Sequence, residues 1–213
     1  MIYGHSKISL SGTFAPTVVF LAEGATEQHF IDKALQGLRA PVNDCAVFSL
    51  DGYSQLKNKI RNIMKEPNFE KVSALGIMLD ADDHPESRLR PAAIALGLAN
   101  FPSDEDALRN DYLCLHGPKK AGVFVSPGNG EKGQIETLVI EEIQTTKFFE
   151  CLTDYEACIK KISGRLDAKG FVQGYISTRK GSLCGVGRAF EAGILDVNHR
   201  AYEGAREFIQ QLL

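Results

Sequence analysis

A chain of 213 residues that is 44% hydrophobic and 24% charged has the balance of an ordinary globular protein and the length to bury one substantial core. Its 24 Lys and Arg against 27 Asp and Glu leave a formal charge of −3, which excludes a molecule-wide polyanion-binding surface and leaves any phosphate contact to a local patch. The longest apolar runs, near Val18 and Leu75, are strand-sized and far short of the roughly 20 residues that span a bilayer, so a soluble protein is expected.

The opening stretch MIYGHSKISLSGTFAP is polar, broken by Gly and Pro, and lacks the apolar segment of an export signal. The five cysteines, Cys45, Cys114, Cys151, Cys158 and Cys184, are odd in number and include no CxxC pair. They fit neither a disulfide framework nor a zinc ribbon, and a reducing cytoplasm is the expected location. On one helix Cys151 and Cys158 would lie roughly 10.5 Å apart along the axis, too far for a disulfide, and both are expected to be small buried apolar residues.

Residues 17–22 form an apolar run rich in β-branched side chains that ends in Glu23-Gly24, the pattern of a buried strand and a turn. A helix follows, with Thr26 as its cap, Glu27 at its positive end, and Phe30, Ile31, Ala34, Leu35 and Leu38 on one face. Residues 45–50 give a second strand, after which Leu56, Ile60, Ile63 and Met64 mark the inner face of a second helix. A third strand over 73–79 is apolar after its first residue, suits the centre of a sheet, and ends in Asp80-Ala81-Asp82-Asp83. The pattern then predicts a helix over 85–98, a variable-looking stretch, and a fourth strand over 122–125 that runs into PGNGEKG. The remainder reads as helical, with one apolar stripe of Cys158, Ile159, Ile162 and Leu166 and another of Ala205, Phe208, Ile209 and Leu212. This alternation predicts an α/β fold, a mainly parallel sheet flanked by helices, with the site at the strands' C-terminal ends. A single domain over 1–213 is expected, its core at 17–147 and a helical extension at 148–213.

Glu23 stands just past the first strand, and Asp80 and Asp82 close the third, so all three acids share one rim. Side chains alternate along an extended chain, which would put Asp80 and Asp82 on the same side roughly 7 Å apart. Carboxylates gathered there repel by up to about 4 kcal/mol per pair at 4 Å and an effective dielectric near 20. No Lys or Arg lies within EGATE or DADD, so a hard divalent cation, Mg²⁺ or Mn²⁺, is the expected partner of Glu23, Asp80 and Asp82. Asp83 and Glu27 are read instead as helix-start residues that favour the dipole. Glu136 shares a helical face with Ile140 and Ile143, where a carboxylate wants a partner, although a capping role at the helix start is equally open. Glu131 is read as loop, and His29, His84 and His116 as surface or capping residues without zinc spacing.

Together, the strand before EGATE, the DAD ending a later strand, and the strand leading into SPGNGEKGQIETL resemble a TOPRIM domain, over about residues 17–213. Within that group the chain looks most like the small, largely uncharacterised TOPRIM proteins related to OLD-family nucleases, whose pattern adds a stretch matched here by Pro127, Gly133 and Glu136. The resemblance implies Glu23, Asp80 and Asp82 as metal and catalytic residues, Glu136 as ligand to a second ion, and Lys169 as a catalytic lysine acting at the phosphate. It further implies nucleic acid as the partner, DNA ahead of RNA, with a separate ATPase and a homodimer as further expectations, and a setting in defence or repair. The chain departs from full OLD proteins in showing no ATPase region, from primases in showing no zinc ribbon, and from topoisomerases in having no room for a strand-passage domain.

The chemistry that follows is phosphodiester hydrolysis with ions about 4 Å apart and no side-chain nucleophile. Glu23 would bind metal or take a proton from water, while Asp80, Asp82 and Glu136 hold the ions. Contacts to a phosphate backbone are sought at Lys57, Lys59, Arg61 and Lys65 and at Lys119, Lys120, Lys160 and Lys161, each set competing with a plain solubilising role. Arg179 and Lys180 before Gly181 read first as a helix C-terminus. Two alternatives stay open: a binding module that holds nucleic acid or nucleotide through metal without cutting, and a receiver-like phospho-accepting domain. The latter wants a pair of acids after the first strand, where only Glu23 stands.

Overall fold

The computed structural model describes residues 4–5, 10, 14–41, 43–164, 166–179 and 185–213. Cys184, Lys180 and Gly181 and most of the opening stretch lie outside the described residues.

The apolar runs become the strands of one sheet: β1 (Gly4–His5), β2 (Val18–Ala22), β3 (Cys45–Ser49), β4 (Ala74–Asp80), β5 (Leu113–His116) and β6 (Lys119–Ser126). Their order is β1-β3-β2-β4-β6-β5, parallel throughout except for the antiparallel pair β5 and β6 at one edge. Strand β4 sits in the interior and is buried over its first six residues, as an apolar run with both faces covered must be.

Alternation along the strands divides the core in two. Val18, Phe20, Ala22, Met78 and Phe124 pack under α1 (Ala25–Gly37), and under the helices of the C-terminal part, α5 (Ile135–Ile143), α7 (Ala168–Ser177), α8 (Val186–Glu191) and α9 (Glu203–Leu212). Val19, Leu21, Leu75, Ile77 and Val123 face α2 (Leu56–Ile63), α3 (Glu86–Leu98) and α4 (Glu105–Asp111). On the first face β4 and β6 set Gly76 beside Gly122, and this lets α9 come close. A Cβ at Gly76 would stand 2.7 Å from Leu212 Cδ1, and one at Gly122 would stand 2.8 Å from the Phe208 ring.

Several expectations are corrected. Strand β1, helix α4 and strand β5 fall where the sequence reads as irregular or variable; β5 is four residues long and half exposed, and it turns into β6 through Gly117 at φ +59°. Helix α1 is capped by Gly24 rather than Thr26, because the Glu27 carboxylate accepts from the Gly24 N–H at 2.8 Å. In α6 (Phe149–Ser163) the expected stripe is one step off: Leu152 is buried, with Phe149, Glu156 and Ile159 half buried beside it, whereas Cys151, Cys158 and Ile162 are exposed. Met64, expected inside, is also exposed. The stripe of α9 is buried as read. Among the described residues no helix is long and apolar enough to cross a membrane.

Candidate functional site

Asp80 and Ser126 end neighbouring parallel strands directly opposite each other, on the face covered by α1 and α5. Helix α1 brings Glu27 against them from its first turn, and α5 brings Glu136, both nearly sealed from solvent. Burial pushes the Asp80 carboxyl up to about 8; Glu27, Glu136 and Glu23 push the same way, and the Ile135 N–H, donating to Oδ1 at 3.0 Å, opposes them. Glu27 is raised to about 7, again by burial first, against the pull of backbone donors that include Gly24 and with the repulsion of Glu136 and Glu23 added. Glu136 Oε2 and Ser126 Oγ are buried without a hydrogen-bond partner. A buried, unpaired carboxylate oxygen among like charges is costly unless a proton or cation joins it.

Glu23 lies at the edge of this cluster, where its Oε2 accepts the Asp80 backbone N–H at 3.0 Å. Asp82 does not continue the strand alternation. It takes a left-handed conformation, φ +51°, and exchanges two backbone hydrogen bonds with Gly133 at 2.8 and 2.9 Å, which tie the loop after β4 to the entry of α5. Gly133 itself sits at φ +137°, where an added Cβ would stand 2.5 Å from Thr137 Oγ1. The Asp82 side chain therefore acquires its own partners, accepting from Arg88 at 2.7 Å and from Gln134 Nε2 at 2.7 Å. Partial burial raises its pKa, but Gln134 and Arg88 outweigh that and hold it below the usual carboxylate range. The EGATE and DADD segments hold no Lys or Arg, but Arg88 reaches in from α3 and stacks on the Tyr53 ring at 4.1 Å, and Tyr53 donates its hydroxyl to the Ser87 carbonyl at 2.9 Å. The Arg88 Nε is buried and unpartnered. As the side chains stand, no three Cys, His, Asp or Glu among the described residues converge as a metal-ligand set.

Outside the cluster opens a cleft of about 470 Å³ lined by Asp82, Lys132, Gly133, Gln134 and Lys169. Lys169 stands in the first turn of α7, behind its Asp167 cap, and its charge also lowers the Asp82 pKa. The other expected basic contacts lie elsewhere or are engaged. Lys119 and Lys120 begin β6, at the opposite end of the sheet, and donate to the carbonyls of Asn100 and Gln211. Lys59 is paired with Asp51 at 2.8 Å and Lys160 with Glu156 at 2.9 Å, while Lys57, Arg61 and Lys161 are exposed helix residues and Lys65 is exposed in the turn after α2. His29 pairs with Glu191 at 2.7 Å, away from the acids. Sequence reasoning missed Glu27, Ser126, Arg88, Lys132 and Gln134 as members of the site. For Glu27 a signal was present, since it follows Glu23 by four residues at a helix start; for Arg88 nothing in its own segment distinguished it.

A family profile described as "Protein of unknown function (DUF3226)" matches residues 17–213, nearly the whole chain. The chain belongs to this family. The match to DUF3226 runs from the residue before β2 to the last residue of the chain, so the acidic cluster, the cleft and the C-terminal helices all lie inside it. A search of curated proteins gave no match. Among solved structures this DUF3226 chain is similar to the C-terminal region of the OLD protein of Xanthomonas campestris pv. campestris, in its platinum-phased form, at 17% identity and a TM-score of 0.47, over 92% of this chain and 93% of that one. The mercury-phased form of that region gives 17% identity and a TM-score of 0.47, over 93% and 96% of the two chains. The C-terminal region of the Burkholderia pseudomallei OLD protein is similar at 16% identity and a TM-score of 0.47, over 92% and 98%.

Proposed function

We propose that this protein is a nuclease of TOPRIM type, hydrolysing phosphodiester bonds of nucleic acid, DNA ahead of RNA, with Mg²⁺ or Mn²⁺ at the acidic rim. The observation that carries the reading is the Glu136 oxygen buried without a partner beside Asp80 and Glu27. Five carboxylates, Glu23, Glu27, Asp80, Asp82 and Glu136, and the Ser126 hydroxyl, with no sulfur or imidazole among them, are donors of the hard-oxygen type that such a cation takes. They would have to close around it, since as the side chains stand no three of these acids converge. Glu23, Asp80, Asp82 and Glu136 would hold it, with Glu27 and Ser126 added by their position. When bound, the cation supplies Lewis-acid activation of the phosphoryl group and a nucleophilic water near neutral pH.

The remaining steps fall to the chain. Asp80 and Glu27 must release the protons that the buried site favours, and cation binding is therefore expected to strengthen as pH rises. Asp82, held by Arg88 and Gln134, fixes the mouth of the cleft, and Lys132 and Lys169 are the cations that would meet a phosphate backbone there, in a lining that also carries Asp82, Asp83 and Asp167. The Arg88 guanidinium, stacked on Tyr53 and bonded to Asp82, holds that carboxylate in place beside the cleft.

The test is cleavage of supercoiled plasmid and of single-stranded DNA with Mg²⁺ or Mn²⁺, comparing wild type with Asp80→Ala and Glu23→Ala. Metal-dependent nicking that both variants lose supports the nuclease. An inert wild type that still binds cation by calorimetry supports a non-cutting binding module, which the Asp82–Arg88 ion pair favours by leaving Asp82 already neutralised. No cleavage and no cation binding would overturn both.

A further inference from the structure

We propose that a slot between α5, α6 and α7 receives an unstacked base of a single-stranded nucleic acid whose backbone crosses the acidic cleft, a proposal that rests on the nucleic-acid reading above. The slot, about 290 Å³, is walled by Ile140, Phe149, Leu166 and Phe171, and it shares Asp167 and Ala168 with the cleft that holds Asp82, Lys132 and Lys169. A charged cleft and an apolar slot therefore adjoin on either side of the N-terminus of α7.

That sequence of surfaces matches a nucleotide, whose phosphate wants cations and whose base wants an aromatic face. Phe149 and Phe171 meet with centroids 6.1 Å apart and planes at 60°, which fixes both rings while Phe149 stays half open to solvent. Ile140 and Leu166 are likewise only partly buried although they pack on the core. Apolar side chains that line a concave slot and remain wet are the usual wall of a ligand pocket. The polar groups at the slot are already committed: Thr153 donates its hydroxyl to the Phe149 carbonyl at 2.9 Å, Glu156 pairs with Lys160, and Asp167 caps Gly170. Recognition there falls to stacking and shape, which every base satisfies. A base can enter only if it has left its partner strand, so the slot selects single strands or frayed ends over intact duplex.

The test measures fluorescence anisotropy of the full chain with Ca²⁺ and two labelled 20-nucleotide strands of equal charge, one of thymidine and one wholly abasic. Wild type should bind the thymidine strand about tenfold more tightly than the abasic one. Phe149→Ala and Phe149→Leu should erase that difference without weakening abasic binding, and Phe149→Tyr should keep it. The Leu variant preserves apolar volume, so a loss seen with Ala but not with Leu would mark Phe149 as packing only and overturn the proposal. Equal binding of the two strands by wild type overturns it while leaving the nuclease reading intact. Binding of neither strand, together with absence of cleavage, overturns that reading and the base slot with it.

Discussion

At the scale of single residues, the acids divide into two kinds that the sequence presents as one. Asp80 and Glu27 face inward and hold protons to about 8 and about 7, whereas Asp82 faces Arg88 and Gln134 and ionises readily. A carboxyl whose pKa is raised by folding binds more protons in the native than in the unfolded state, so its contribution is full below the ordinary carboxylate range and is lost as pH rises through the folded value. In divalent-free buffer the urea midpoint is therefore expected to fall from about pH 5 to about pH 8.5, and Asp80→Asn should flatten that fall and exceed wild type in stability at the alkaline end. A wild-type midpoint constant over this range would mean that the inner acids are not buried together. The outer pair makes a smaller claim. With 44% of the Asp82 side chain exposed, a double-mutant cycle on Asp82→Ala and Arg88→Ala should return a coupling of about 0.5–1 kcal/mol in unfolding experiments.

At the scale of elements, the decisive packing is α9 across β4 and β6. A Cβ at Gly122 would meet the Tyr112 carbonyl oxygen at 2.9 Å as well as the Phe208 ring, and backbone has little room to give way. Gly122→Ala is expected to cost about 1–3 kcal/mol of overpacking, read as a Tm lowered by about 2–4 °C per kcal/mol in a chain of this size. The stripe that makes this contact, Ala205, Phe208, Ile209 and Leu212, was legible because the whole set is buried and its period is unbroken. The stripe of α6 was not, because that helix buries only Leu152 and its apolar residues lie on more than one face, so periodicity alone chose the wrong one. Helix α4 and strand β5 escaped for another reason: seven and four residues are too few to show a period. The candidate site was legible where an acid stands at or just past a strand's end, as at Asp80 and Glu23. It was hidden where helix geometry or a left-handed residue decides the partner, as at Glu27 and Asp82.

At the scale of the whole molecule, the face of the sheet that carries Asp80 is roofed by segments far along the chain. Phe208 lies 6.1 Å from Phe20 and 5.9 Å from Phe124, while Phe30 packs on Phe190 at 5.2 Å and on Tyr202 at 5.4 Å, all in one buried cluster. Tyr202 also donates to Glu142 at 2.7 Å, and the Asp196 N–H donates to the same carboxylate at 2.9 Å, so α5 is fixed from the C-terminal side. Since α5 carries Glu136, the cluster depends on residues that form no part of it. A chain ended at residue 147 would expose Phe20, Phe30, Met78 and Phe124 and leave Glu142 without its donors. Such a chain is expected to lack a cooperative thermal transition and to lose amide protection in β2 and β4, as measured by circular dichroism and hydrogen exchange. Phe208→Ala in the full chain, a milder lesion, should cost about 3–5 kcal/mol and remain folded. Cooperative melting of the truncated chain with native protection in β4 would instead make the C-terminal helices a separate unit, and the inner acids would then have to be held by α1 and the sheet alone.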